Sequence, residues 1–303
     1  MVHYTHWNLS RRATASGILA LTLWATLPVI TVVASRIPPF EMMAITFCIA
    51  FLSGASGLLV YGRADEILSK HALLPWTVGS LAIFTYHACY FYAIATIAPA
   101  ATTLIAYLWP LMVVLFSAAR LGAGMKARHV MGALFGLFGT VLILRDRPID
   151  EHLFSATGAW SGYAAAFSCA IVWAVYSLSN RKFCDASSTA MVSICGGVSL
   201  ASALCHILFE KSLLPTWTEL GALVALGLGP VGVAFLAWDF ATKHGQTILL
   251  GSLAYLTPLM STLLLVWVGL ALPTANLVFA TVFIVGGAVL AVGLCGSYKR
   301  RHQ

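Results

Sequence analysis

In this chain of 303 residues, Tyr86 and Tyr90 stand one helical turn apart, the spacing that puts two side chains on one face. Each offers a flat apolar ring and a hydroxyl able to meet an amino or carboxylate group. Two uses are open to such a pair: lining a cavity, or packing between helices. His87 lies between them, a side chain that titrates near neutral pH, so it is a candidate proton carrier as well as an interhelical hydrogen-bonding group. Asp239 is the one acid well inside an apolar segment, and Lys243 follows it at i+4. Intramembrane carboxylates are costly and face a bundle interior or a water-filled cavity. An ion pair with Lys243 is one reading; proton coupling, or pairing with a substrate ammonium, is the other. Trp24 and Pro28 set a ring and a kink one turn apart, an arrangement that serves lining and structure equally.

These residues need elements to hold them, and the clearest sign of organisation is a repeated heptamer. Ala106-Tyr107-Leu108-Trp109-Pro110-Leu111-Met112 recurs as Ala254-Tyr255-Leu256-Thr257-Pro258-Leu259-Met260, six identities in seven at an offset of 148. At the same offset Gly139 falls on Gly287, Val141 on Val289 and Leu142 on Leu290. The match therefore spreads beyond one heptamer, and an internal duplication follows, residues 1–148 and 149–303. Pro110 and Pro258 each remove a backbone donor, which predicts helix bends and releases the carbonyls of Ala106 and Ala254. In lipid those oxygens need partners. The copies differ where Trp109 precedes one proline and Thr257 the other, so a site built here is asymmetric. Tyr107 and Tyr255 match, so a structural role supporting the bend is open to either, and it is the favoured reading for Tyr255.

Hydrophobic residues make up 60% of the chain, charged residues 9%, and the mean hydropathy is +0.91. No single water-soluble core hides that much apolar surface. The composition predicts an all-α polytopic membrane protein. Ten apolar spans can be drawn, at about 20 residues for each crossing: 16–34, 41–61, 72–94, 99–119, 128–144, 158–178, 187–209, 220–241, 247–270 and 276–295. His3, His6, Arg11 and Arg12 precede a long apolar run as in a signal peptide, but no short apolar core with a small-residue cleavage site follows, so this is read as helix one.

Of the 17 Lys and Arg residues, only Arg36, Arg145, Arg147 and Lys211 fall on the outer side when the N-terminus is cytoplasmic. Arg11, Arg12, Arg63, Lys70, Arg120, Lys126, Arg128, Arg181, Lys182, Lys243, Lys299, Arg300 and Arg301 all fall inside. Both termini are thus expected in the cytoplasm. The net charge of +7 reflects these loops and gives no reason to expect nucleic acid. Five helices per copy make the two repeats inverted, an arrangement that points to a carrier with its site near the midplane.

The two AYLxPLM copies, the Trp24-Ala25 and Trp173-Ala174 pairs, and the glycines of 132–139 and 286–287 carry a resemblance. The chain resembles the EamA type of the drug/metabolite transporter superfamily, ten helices in a 5+5 duplication, and within it the bacterial inner-membrane aromatic amino acid exporters. The resemblance runs from Ser16 to Cys295. It implies efflux of Phe, Tyr and Trp across the bacterial inner membrane through a central cavity open alternately to each side. It also raises Tyr86, Tyr90, Tyr107, Trp109 and Trp173 to substrate-binding candidates, with His87 and Trp24 beside them. Each ring stacked on an aromatic substrate is worth about 0.5–1.5 kcal/mol beyond area burial, and the substrate ammonium suits a ring face.

Rival classes leave weaker traces. No Walker A sequence is present, and the acids and histidines are dispersed rather than paired or set as HExxH, so an enzyme is not expected. The seven cysteines, Cys295 among them, include no CxxC pair. No cofactor or metal is expected; the expected partners are a small-molecule substrate and membrane lipid. A broader metabolite or drug exporter of the same fold is the nearest alternative. Gly132, Gly136, Gly139, Gly286 and Gly287 are expected to permit close helix packing, and Gly227, Gly229, Pro230 and Gly232 to form a hinge.

Overall fold

A backbone that crosses lipid must satisfy its own polar groups, and long apolar runs without charge do so as helices. The computed structural model describes residues 2–67, 73–97, 99–121, 127–145 and 159–292; Lys70, Lys126, Arg147, Cys295, Lys299, Arg300 and Arg301 lie outside the described residues. Every regular element among the described residues is helical. In order they are α1 (Val2–Ala25), α2 (Leu27–Val33), α3 (Pro39–Val60), α4 (Leu73–Thr96), α5 (Pro99–Ala106), α6 (Trp109–Leu121), α7 (Ala127–Arg145), α8 (Ala159–Ser179), α9 (Ala190–Phe209), α10 (Trp217–Leu226), α11 (Ala234–His244), α12 (Thr247–Leu253), α13 (Leu256–Trp267) and α14 (Ala275–Val292). Seven helical stretches are long and apolar enough to cross a membrane, and 101–117, 127–143 and 275–290 are shorter apolar helices.

Sequence chemistry sets the joints. Pro28 enters α2 at its first turn, where a missing N–H costs nothing, and the Thr26 N–H bonds back to the Leu23 carbonyl at 3.1 Å. Gly62, at φ 69°, terminates α3 while the Arg63 N–H returns to the Leu58 carbonyl at 2.8 Å. Thr216 and Glu219 close a capping box at the start of α10. Between α10 and α11 the chain runs as a π-helical turn, Gly227–Val233, around Pro230. The wider turn takes up a proline that an α-helical ladder would reject.

Helix one begins at Val2 rather than at Ser16, because neither proline nor glycine interrupts the chain before Gly17. Both proline heptamers interrupt their helices: α5 stops at Ala106 and α6 starts at Trp109, while α12 stops at Leu253 and α13 starts at Leu256. The carbonyl of Ala254 is not left free. Pro258 cannot donate to it, so the Thr257 N–H does, at 3.0 Å, and the helix tightens for one turn.

The most extensive helix contacts are α7 with α14, α3 with α9, α4 with α8, and α1 with α11. In the α7–α14 pair a Cβ on Gly287 would stand 2.6 Å from the Gly132 oxygen, so the close approach there requires glycine. Gly286 departs from the expected packing role: nothing lies within 4 Å of the position its Cβ would take. Tyr255 is buried in a second core with Val114, Leu259 and Ile284, its ring against Gly136, as a structural residue would be.

Candidate functional site

The main core brings α1, α3, α4, α6, α8 and α11 together through aromatic rings. Trp173 of α8 is the hub: its ring centroid lies 5.5 Å from Trp24, 5.3 Å from Tyr86, 6.2 Å from Trp109 and 5.8 Å from Phe235. Trp24 also meets Trp238 at 5.2 Å and Phe235 at 5.6 Å, and Trp109 meets Trp238 at 5.7 Å. Most of these pairs are edge-on or tilted, the arrangement the ring quadrupole favours. The Trp24 indole N–H donates to the Pro230 carbonyl at 3.0 Å, which ties α1 to the π turn.

Tyr86 and Tyr90 share a face, as their spacing predicts, with rings nearly parallel at 13° and 6.3 Å apart. The Tyr90 hydroxyl lies 3.4 Å from the Thr103 hydroxyl of α5, and Tyr107 is half-buried at the α5–α6 break. His87 faces Phe47 and Phe235. Its Nδ1–H donates to the Ile83 carbonyl at 2.8 Å, one turn back in its own helix and not across to another. That bond leaves Nε2 as the acceptor of the neutral ring. Exposure is graded across the cluster. Trp109, Trp173, Phe235 and Trp238 are buried, with Trp238 only 1% exposed, while Trp24, Tyr86, His87 and Tyr90 are half-buried.

Asp239 and Lys243 form a buried ion pair at 2.7 Å, and the Lys243 ammonium also donates to the Ala186 carbonyl at 3.1 Å. Beside them the Asn180 amide donates to the Thr242 hydroxyl at 3.1 Å, and the Trp238 indole N–H to the Ser177 hydroxyl at 3.2 Å. The end of α8 and the turn after it are thereby tied to α11. At the opposite end of the bundle Phe40 meets Phe84 at 6.3 Å and Phe91 at 6.0 Å. Glu210 accepts from the N–H groups of Phe40 and Glu41, both at 3.0 Å, and so holds the start of α3 to the end of α9. Arg36 meets Glu219 through two hydrogen bonds, 2.8 and 2.9 Å, which raise its already high pKa. At the Asp239 end, Glu66 is held below the ordinary carboxylate range by the Arg63 guanidinium first and the Thr189 hydroxyl second. Among the described residues no hydrogen bond or ion pair joins α4 to α1 or α2.

The candidates Tyr86, Tyr90, His87, Trp109, Trp173 and Trp24 thus converge on one cluster, with Tyr107 at its edge. Asp239 and Lys243 stand next to it through Trp238, as the ion pair. Phe47, Phe235 and Trp238 belong to the cluster and were not among the sequence candidates. The repeat carried the signal: at the offset of 148, Phe235 falls on His87 and Trp238 on Tyr90.

The family profile described as the EamA-like transporter family matches residues 12–145. Curated relatives agree. The aromatic amino acid exporter YddG of Ancylobacter novellus is 43% identical over 282 residues, covering 92% of this chain and 96% of that protein. The aromatic amino acid exporter YddG of Escherichia coli is 25% identical over 268 residues, covering 84% of this chain and 87% of that protein. A solved crystal structure superposes with a TM-score of 0.85 at 42% identity, covering 92% of this chain and 96% of that one. With apolar helices throughout, the chain is a multi-pass protein of the inner membrane and belongs to the EamA-like transporter family of drug/metabolite transporters.

Proposed function

We propose that the chain exports aromatic amino acids from the cytoplasm by alternating access, binding them on the rings that surround Trp173. The carrying observation is the cluster itself. Five helical segments from both halves of the chain aim Trp24, Tyr86, Trp109, Trp173 and Trp238 at one place, and the tyrosines and His87 keep part of their surface open. An aromatic side chain fits among such rings, the tyrosine hydroxyls suit its carboxylate, and the ring faces suit its ammonium. The names of the two relatives point to the same substrates.

The frame is proposed as ten spans in two inverted five-helix repeats, 1–148 and 149–303, with both termini cytoplasmic. Packing supports this reading. Exchanging the halves turns the α1–α11 pair into α8–α4 and leaves α3–α9 and α7–α14 as themselves, and these are the four most extensive pairs. In this state the Asp239 end is closed by the α8–α11 ties; transport requires them to part while α4 and α1–α2 approach at the other end. Pro110, Pro258 and the π turn supply the bends.

Efflux of radiolabelled phenylalanine from proteoliposomes tests the reading, with unlabelled tryptophan, threonine and a cationic drug as competitors. Saturable efflux blocked by tryptophan alone, and weakened by Trp109→Ala, is expected. Equal block by the cationic drug would favour a broader metabolite exporter, and no protein-dependent phenylalanine movement by folded protein would refute the substrate assignment.

A further inference from the structure

On the surface away from the aromatic cluster, α7 and α14 line an open groove of about 590 Å³. Phe135, Val282, Phe283, Gly286 and Val289 line its apolar length, and Arg128 stands at one end. The Phe283 ring, edge-on to Phe138 at 4.7 Å and Phe135 at 5.9 Å, makes one wall. Gly286 keeps the groove open, because any side chain there would extend into empty space.

Arg128 gives the groove a polarity. It lies in the first turn of α7; its Nε is buried and makes no hydrogen bond to any described residue, nor does the guanidinium enter an ion pair among them. The chain has no acid between Glu66 and Asp146, and none after Asp239. Asp146 follows α7 in the sequence, 18 residues after Arg128. Because Gly139 opposes Ala280 and Gly287 opposes Gly132, the two helices are antiparallel, and the start of α7 meets the end of α14. The sequence flanking the two helices is basic: Arg120 and Lys126 precede α7, and Lys299, Arg300 and Arg301 follow α14. A guanidinium that meets no acid among the described residues, at one end of an apolar groove, suits an anion from outside the chain.

We infer that this groove binds one anionic phospholipid, an acyl chain along Phe135, Phe283 and Gly286 and the headgroup phosphate on the Arg128 guanidinium. The fork of N–H donors matches a phosphate's oxygens, and the acyl chain covers rings and valines that the protein leaves bare. A second copy of this chain does not fit as well, since a two-fold contact here would bring like charges together.

Native mass spectrometry of the intact, detergent-purified protein tests this, with phosphatidylglycerol and phosphatidylcholine of identical acyl chains as probes and inorganic phosphate as competitor. Wild type is expected to retain phosphatidylglycerol preferentially. Arg128→Gln should weaken that adduct about fivefold, the weight of one basic residue at an anionic leaflet, and leave phosphatidylcholine unchanged. Gly286→Leu, which fills the groove, should weaken both lipids. Equal retention of the two lipids, an unchanged phosphatidylglycerol adduct in either variant, displacement by phosphate alone, or a dimer that Gly286→Leu abolishes would each overturn the inference. Circular dichroism and monodisperse elution establish that each variant is folded; should Arg128→Gln fail there, Arg128→Lys and Gly286→Leu carry the test.

Discussion

At the Asp239 end of the bundle, two side-chain hydrogen bonds, Trp238 on Ser177 and Asn180 on Thr242, tie α8 and the turn after it to α11, and the Lys243 ammonium, paired with Asp239 within α11, reaches the Ala186 carbonyl of that turn, whereas at the Phe40 end their repeat counterparts, α1–α2 and α4, share no polar link among the described residues. The sequence offset shows how the difference arises. Asp239, Thr242 and Lys243 fall on Phe91, Ile94 and Ala95, so one copy carries polar ties where the other carries apolar side chains. Parting α11 from the end of α8 and its turn would strip the Lys243 ammonium of the Ala186 carbonyl and break two buried hydrogen bonds; apolar faces can part without stranding a polar group. The polar links at the Phe40 end, Glu210 on the start of α3 and Arg36 on Glu219, join α3 to α9 and the α2–α3 turn to α10. They brace the flanks of that end and do not join α1–α2 to α4.

Breaking the ion pair from one side should have the largest effect. Lys243→Met leaves a buried carboxylate alone and is expected to cost about 3–5 kcal/mol, read as a lowered melting temperature in detergent. Asp239→Asn with Lys243→Met removes both charges and should recover most of that loss. A double variant less stable than Lys243→Met alone would refute the ion-pair reading. Next in size, Asn180→Ala and Trp238→Phe each remove one buried hydrogen bond, worth about 1 kcal/mol. Each should loosen the Asp239 end and leave the Phe40 end unchanged in hydrogen exchange.

Within the cluster, Tyr86→Ala should raise the KM for phenylalanine by up to about tenfold, the weight of one aromatic contact, with a smaller change in kcat. The smallest effect belongs to the exposed clasp of Glu66. Because its pKa is lowered on folding, its contribution is present above the ordinary carboxylate range and is lost as pH falls through the folded value. Glu66→Gln should therefore flatten a weak acid-side fall in melting temperature and change stability at neutral pH by less than about 1 kcal/mol.

Much of this was legible in the sequence because local chemistry decided it. Apolar runs gave helices, the two prolines marked real interruptions, and the i, i+4 spacing of Asp239 and Lys243 was enough to foresee their pairing. Trp24 and Trp173 were visible as a matched pair. Phe47, Phe235 and Trp238 were harder to pick out, since a phenylalanine or tryptophan in an apolar helix has the same local pattern whether it faces lipid, a neighbour or a cavity. Only the helix pairing, α1 on α11 and α4 on α8, turns them inward. His87 illustrates the reverse error: its type suggested a bond between helices, but the nearby Ile83 carbonyl one turn back satisfied it first. Gly286 was grouped with Gly287 by sequence and separated from it by the helix face each occupies.

The most direct test of a single aromatic site with two unequal ends is the reactivity of single cysteines toward a membrane-impermeant maleimide. One replaces Phe91 at the Phe40 end and the other Thr242 at the Asp239 end, on a background with the native cysteines replaced, each with and without phenylalanine. The account predicts that the Phe91 position reacts and the Thr242 position is protected, that phenylalanine changes the two in opposite directions, and that removing Asp239 and Lys243 together exposes the Thr242 position. Equal reactivity at both positions, unmoved by phenylalanine, would contradict it.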